Sequence, residues 1–122
     1  MLVNTPMNLI LLRHGEIDAN VRKVYAGRSD DPLNETGRSQ ALAAAQKLCD
    51  RNIRALYCSP LRRTMETAAI IGRRISCTPE AVESFNELLM GPWAGLSEAE
   101  VAERYPNESA IWSARPAELR IP

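Results

Sequence analysis

Four aliphatic residues in succession, Leu9, Ile10, Leu11 and Leu12, lead into Arg13, His14 and Gly15. A short apolar run closed by a charged residue and a glycine predicts a buried parallel-type strand over residues 9–12, with a loop at its C-terminal end. Residues 16–34 are polar and contain Gly27, Asp30, Asp31 and Pro32, the composition of a long functional loop crossing the top of a sheet. Ala41, Leu42, Ala45, Leu48 and Cys49 then recur at helical spacing, predicting a helix capped by Thr36 and running to about residue 51, with Asn52 at its end. Residues 53–58 form a second apolar strand, closed by Ser59 and Pro60. Met65, Ala68, Ala69 and Ile71 give the next helix its apolar face, and Gly72 with Arg73 and Arg74 marks its end. A weaker third strand is predicted over residues 74–78, stopped by Pro79. Ser97 and Glu100 have capping-box spacing and open a helix through Arg104 that Pro106 ends, and a last short helix is expected over residues 108–114.

Strands alternating with helices predict an α/β fold, a mainly parallel sheet with helices on both faces. The 122 residues suffice for one core, and no repeat or linker divides them, so a single domain over residues 1–122 is expected. Only three strands can be found. A sheet that small leaves edges exposed, so the expectation is an incomplete sheet. Either the domain is C-terminally truncated, or another chain covers the edge, as in a homo-oligomer.

Composition narrows the function. Fifteen basic residues balance fifteen acidic ones, so no overall field recommends nucleic acid or an anionic membrane as a partner. Aromatic residues are few, which argues against a base-stacking surface. No apolar run has membrane-spanning length, and residues 1–8 lack the features of a secretory signal, so the expected location is the cytoplasm. Cys49, Cys58 and Cys77 are odd in number and widely spaced, which suggests neither a disulfide framework nor a zinc site and reads as three small core residues.

The chemistry gathers at His14, the one histidine of the chain. Ligands of open α/β sheets bind beyond the C-terminal ends of the strands. An imidazole placed there can attack phosphorus and carry a phosphoryl group, because its nitrogen is nucleophilic near neutral pH and leaves phosphorus readily. Arg13 beside it offers paired donors to phosphate oxygens.

Arg13, His14, Gly15 and Glu16, followed by Asn20, resemble the signature of the histidine phosphatase superfamily, the phosphoglycerate mutase-like proteins. Three more segments agree in order. Gly27, Asp30, Pro32, Leu33, Gly37, Gln40 and Ala41 look like the family's loop and following helix. Ser59, Pro60, Leu61, Arg62, Arg63, Thr64, Thr67 and Ala68 look like its second phosphate-binding segment, with Arg63 at the active-site arginine position. Phe85, Asn86, Glu87, Leu88, Gly91, Trp93 and Gly95 look like the segment that holds its acidic proton donor. Ala94 departs from the acidic residue that many relatives carry.

The resemblance implies a phosphoglycerate mutase-like fold and phosphoryl transfer from a small phosphorylated metabolite, without metal or organic cofactor. His14 becomes a phosphohistidine, Arg13 and Arg63 hold the phosphoryl oxygens, and Asn20 adds a neutral donor. Glu87 protonates the departing oxygen and then activates water. Glu16 and Gly27 shape the loop or meet the substrate. Arg62 reads as a surface residue, Asn20 serves equally well as a turn or cap residue, and Trp93 and Trp112 read as core or interface anchors. The spacing around residues 87–95 looks more like the compact phosphatases, including those acting on phosphorylated cobalamin precursors, than like the glycolytic mutase, which favours phosphomonoester hydrolysis over mutase-type transfer. Family members also carry a second active-site histidine on a later strand beside the first. The 122 residues hold none, which costs transition-state stabilisation and leaves a non-catalytic phosphate-binding or interaction protein as the other reading.

Overall fold

The chain is described by a computed structural model over residues 6–122. Its elements, in order, are α1 (Asp18–Arg22), α2 (Glu35–Leu48), β1 (Leu56–Cys58), α3 (Arg62–Ile75), β2 (Pro79–Ala81), α4 (Glu98–Arg104) and α5 (Pro106–Ala114), with single 3-10 turns at Glu83–Phe85, Gly91–Trp93 and Pro116–Glu118. β1 and β2 run parallel, with Leu56 opposite Pro79, Tyr57 opposite Glu80 and Cys58 opposite Ala81. The connection between them is α3, which packs on both strands and, on its other side, against α2. This is one right-sized βαβ unit with a second helix layered on the crossover.

Local chemistry sets the ends of these elements. Asn34, not Thr36, caps α2: its side-chain oxygen accepts from the Gly37 N–H at 2.8 Å. Both residues are competent caps, but the chain enters the helix two residues earlier than the apolar spacing suggests. The capping box of α4 forms as expected, Ser97 Oγ accepting from the Glu100 N–H and the Glu100 carboxylate accepting from the Ser97 N–H. Pro106 ends that helix and opens the next, where its missing N–H costs nothing.

Two strand expectations need correction. Residues 74–78 are not a strand. α3 continues through Ile75, Ser76 closes it in the left-handed conformation at φ 55°, and β2 begins at Pro79 rather than ending before it. A proline is tolerated at the first position of a strand because only a donor is lost there. Residues 9–12 are likewise without a ladder partner among the described residues, and they are exposed, Leu11 to 85%. An apolar run becomes a strand only when another strand satisfies its backbone, and residues 10–12 line the same cleft as β1 without pairing to it. Of the cysteines, Cys58 is buried while Cys49 and Cys77 are half-buried, and all three are free thiols.

The core is divided. Ile17, Ala19, Leu33 and Ala41 form one cluster under the loop, and Met90, Trp93 and Val101 form the other. Trp93 is completely buried, with Tyr25, Tyr105 and Trp112 around it at ring-centroid separations of 5.8, 6.3 and 6.5 Å. That bears out its reading as a core anchor.

The tightest point of the fold lies where residues 15–16 cross the start of α2. A Cβ on Gly15 would strike the carbonyl of Gly37, and a Cβ on Gly37 would strike the carbonyl of Glu16. Both obstacles are backbone and neither can turn aside. Gly37→Ala is therefore expected to lower stability by about 1–3 kcal/mol, read as a fall in the urea midpoint at unchanged slope. An unchanged midpoint would show that the two backbones do not meet.

Candidate active site

Backbone contacts place the His14 segment. The Gly15 N–H donates to Thr67 Oγ1 at 3.1 Å, and Thr67 in turn donates to the Arg63 carbonyl one turn earlier on α3. The Glu16 N–H donates to Gln40 Oε1 of α2 at 2.9 Å. One residue run is thus pinned to two helices. Thr67 and Gln40 were legible only as parts of family segments; the signal for Thr67 is its i, i+4 relation to Arg63, which puts both on the buried face of α3.

His14 is half-buried, and its Nδ1 lies 2.6 Å from the Gly15 carbonyl oxygen. A carbonyl can only accept, so Nδ1 carries the proton and Nε2 keeps a free lone pair. That is the tautomer a nucleophile needs. Burial is the main influence on its pKa and lowers it from the usual 6.5; the Gly15 carbonyl and Glu87 oppose the change, while Arg63 and Arg13 reinforce it.

Arg63 is 2% exposed. Its Nη2 donates to the Gly27 carbonyl at 2.7 Å and its Nη1 to that of Ser29 at 3.2 Å. Nε is buried without a hydrogen-bond partner among the described residues. Burial pulls its pKa down, and Glu87 and Asp31 pull it back up. A guanidinium nevertheless stays charged. Gly27 serves this grip through its backbone, at φ 54°, with Met90 filling the space where a side chain would go.

A cleft of about 370 Å³ has His14, Arg63, Asn86 and Glu87 in its lining, together with Leu12 and Tyr57 from its apolar walls. The Glu87 carboxylate accepts from the neighbouring Leu88 N–H at 2.8 Å and is solvent-exposed. Nucleophile, cation and carboxylate therefore share one concavity. Arg13, adjacent in sequence, is exposed and forms no ion pair among the described residues.

Two sequence candidates have structural partners of their own. Asn20 Oδ1 accepts from the Ile17 N–H at 3.0 Å, the cap arrangement that was its alternative reading, and Asn20 does not line the cleft. Glu16 accepts from Asn34 Nδ2 at 2.9 Å and so shapes the loop at the start of α2. Arg62 is a surface residue, as expected, paired with Glu66 at 2.9 Å. Among the described residues no cluster of His, Cys, Asp and Glu is arranged to hold a metal ion. No helix among them is long and apolar enough to cross a membrane.

A profile of the histidine phosphatase superfamily (branch 1) matches residues 9–122. The chain belongs to that superfamily. A glucosyl-3-phosphoglycerate phosphatase of Mycobacterium tuberculosis is 34% identical over 119 residues, covering 93% of this chain and 53% of that protein. Phosphoserine phosphatase 1 of Hydrogenobacter thermophilus is 34% identical over 115 residues, covering 94% and 54%. A bifunctional protein of M. tuberculosis is 38% identical over 109 residues, 88% of this chain and 30% of its own length. Among solved structures, Bacillus stearothermophilus YhfR superposes with a TM-score of 0.79 at 30% identity, over 86% of this chain and 52% of that one. A mycobacterial glucosyl-3-phosphoglycerate phosphatase in complex with VO3 gives 0.76 at 34% identity, over 81% and 47%. The α/β architecture expected from the sequence is thus that of the family, and the chain spans about half the length of these two phosphatase relatives, and less of the bifunctional protein.

The histidine phosphatase chain has a single imidazole, so its titration can be followed without overlap. Its midpoint, read from the imidazole ring carbon-bound protons by NMR, is expected below 6.5. Because the folded pKa is the lower one, the unfolded chain binds the proton more readily. The contribution of His14 to stability is complete above 6.5 and is lost as pH falls towards the folded midpoint. A midpoint at or above 6.5 would contradict the burial of the ring.

Proposed function

We propose that this chain acts in hydrolysis of a small phosphate monoester through a phosphohistidine at His14. The observation that carries the reading is the Nδ1 contact to the Gly15 carbonyl, which leaves Nε2 as a neutral nucleophile in a cleft shared with Arg63 and Glu87. In the first step Nε2 forms a bond to phosphorus, the ester P–O bond breaks, and the Glu87 carboxylic acid gives its proton to the departing oxygen. In the second, Glu87 takes a proton from water, the water oxygen bonds to phosphorus, and the N–P bond breaks to release inorganic phosphate.

Phosphoryl transfer spreads negative charge over the equatorial oxygens, so positive charge already in place does most of the work. Arg63 supplies it at no reorganisation cost, since two of its nitrogens are already anchored to the loop. Its Nε, buried and without a partner, is the donor that a phosphoryl oxygen reaching the cleft floor would satisfy. Arg13 completes the clamp by swinging from solvent. The relatives named for glucosyl-3-phosphoglycerate and phosphoserine both act as phosphatases, which supports hydrolysis over mutase-type transfer and a small metabolite as substrate.

The reading is tested by hydrolysis of p-nitrophenyl phosphate by the 122-residue chain beside His14→Ala and Arg63→Met. Turnover that disappears with His14→Ala and drops by about 10²-fold or more with Arg63→Met is expected, the second figure being typical for removal of a donor that stabilises transition-state charge. Absence of turnover in the unmodified chain, with phosphate binding retained, would favour the other reading, a phosphate-binding protein; that outcome is consistent with the single histidine among the 122 residues.

A further inference from the structure

Glu87 is the least supported member of the cleft. From residue 83 to residue 94 the chain is held by local contacts: the 3-10 turns, Glu87 N–H to Asn86 Oδ1, and Leu88 N–H to the Glu87 carboxylate. Phe85, Leu88 and Leu89 are more than half exposed, so packing holds this stretch only from Met90 onward, where Met90 and Trp93 enter the core. Among the described residues one hydrogen bond ties it to a distant part of the chain, from Arg28 Nε to the Glu87 carbonyl oxygen at 2.6 Å.

Arg28 is itself unusually well fixed for an exposed loop residue. The carbonyls on either side of it, those of Gly27 and Ser29, are the two that the Arg63 guanidinium grips. A few residues earlier the same loop is joined to the far end of the Glu87 segment, where Tyr25 donates to Leu96 at 2.9 Å and Gly95 donates to Tyr25 at 2.8 Å. The segment from Glu87 to Gly95 is therefore a loop clamped by backbone at its far end, while Glu87 itself, between the Val82 N–H bond to the Cys58 carbonyl at 2.8 Å and the buried Met90, has one long-range hydrogen bond of its own, from Arg28.

We propose that Arg28 is a positioning residue: through its hydrogen bond to the Glu87 carbonyl it holds the Glu87 carboxylate at the cleft beside His14 and Arg63. The chain of contacts runs from the phosphate-binding cation, through the two carbonyls flanking Arg28, to the backbone of the proton donor. It fixes the separation of cation and carboxylate with no contact between Arg28 and the reacting atoms. The proposal rests on the reading of Glu87 as proton donor, but its test does not need turnover.

His14 reports the position of Glu87 through space, since a nearby carboxylate favours the imidazolium, against the opposing charges of Arg13 and Arg63. NMR titration of His14 is compared in the 122-residue chain and in Arg28→Met, Glu87→Gln and the double variant. Glu87→Gln is expected to lower the midpoint, because a carboxylate that favours the imidazolium is lost. Arg28→Met is expected to lower it in the same direction by a smaller amount, and to add nothing once Glu87 is Gln. The sign is diagnostic. Loss of the Arg28 charge by itself raises the midpoint, so a fall that vanishes in the Glu87→Gln background reports withdrawal of the carboxylate.

An unchanged or raised midpoint in Arg28→Met, with the circular dichroism spectrum intact, would overturn the proposal. So would a fall that persists in the Glu87→Gln background. No response to Glu87→Gln alone would remove Glu87 from the site and overturn the proposal with it, whereas loss of hydrolysis with the expected titrations would sink only the catalytic reading.

Discussion

A buried cation organises this fold. Arg63 sits on the inner face of α3 at 2% exposure, where an arginine without partners would cost several kcal/mol. The chain meets that demand with backbone, bringing the carbonyls of Gly27 and Ser29 to two of its nitrogens and leaving Asp31 and Glu87 to supply opposite charge. Because carbonyls satisfy the guanidinium without neutralising it, its positive charge remains available to the cleft. The loop conformation, the glycine at position 27 and the Met90 contact behind it all follow from this one requirement.

The second constraint is the close crossing of residues 15–16 and the start of α2. Two glycines let two backbones meet there, and the result is that His14 adjoins a stretch bonded to Thr67 on one side and Gln40 on the other. A nucleophile benefits from this more than from any strengthening of its own basicity. Its neutral form is favoured by burial, its tautomer by the Gly15 carbonyl, and its direction by the helices. Within the cleft, Arg63 and Glu87 set one cation and one carboxylate beside His14.

The helices were legible because their causes are local. The 3.6-residue rhythm of α2 and α3, the Ser97 and Glu100 capping box, and the stop at Pro106 each involve residues a few positions apart. Strands were less so, since pairing is a property of two segments. The run of residues 9–12 has ideal strand composition but finds no ladder partner among the described residues, while Pro79, which reads as a strand breaker, begins β2 opposite Leu56, at a first position where only a donor is lost. Asn20 shows the same limit on the site side. Its amide carries an oxygen suited to a helix start and an NH2 suited to a phosphate, and only the fold shows that the oxygen accepts from the nearby Ile17 N–H.

Arg28 marks the far end of this scale. In sequence it is one of fifteen basic residues, in a polar loop, with nothing to separate it from Arg22 or Arg38. Its distinction is entirely relational: a carbonyl 59 positions later comes to its Nε, and the residues on either side are gripped by Arg63. An exposed hydrogen bond ordinarily contributes little to stability because water replaces it. Here the exposed residues around Glu87, between Val82 and Met90, have no other long-range hydrogen bond among the described residues, so the consequence is geometric rather than energetic. A carboxylate that must first give and then take a proton has to stay within reach of the reacting oxygen through both steps, and proximity of that kind is lost with a shift of about 1 Å. A weak bond suffices for this when no stronger one competes to place the same backbone elsewhere.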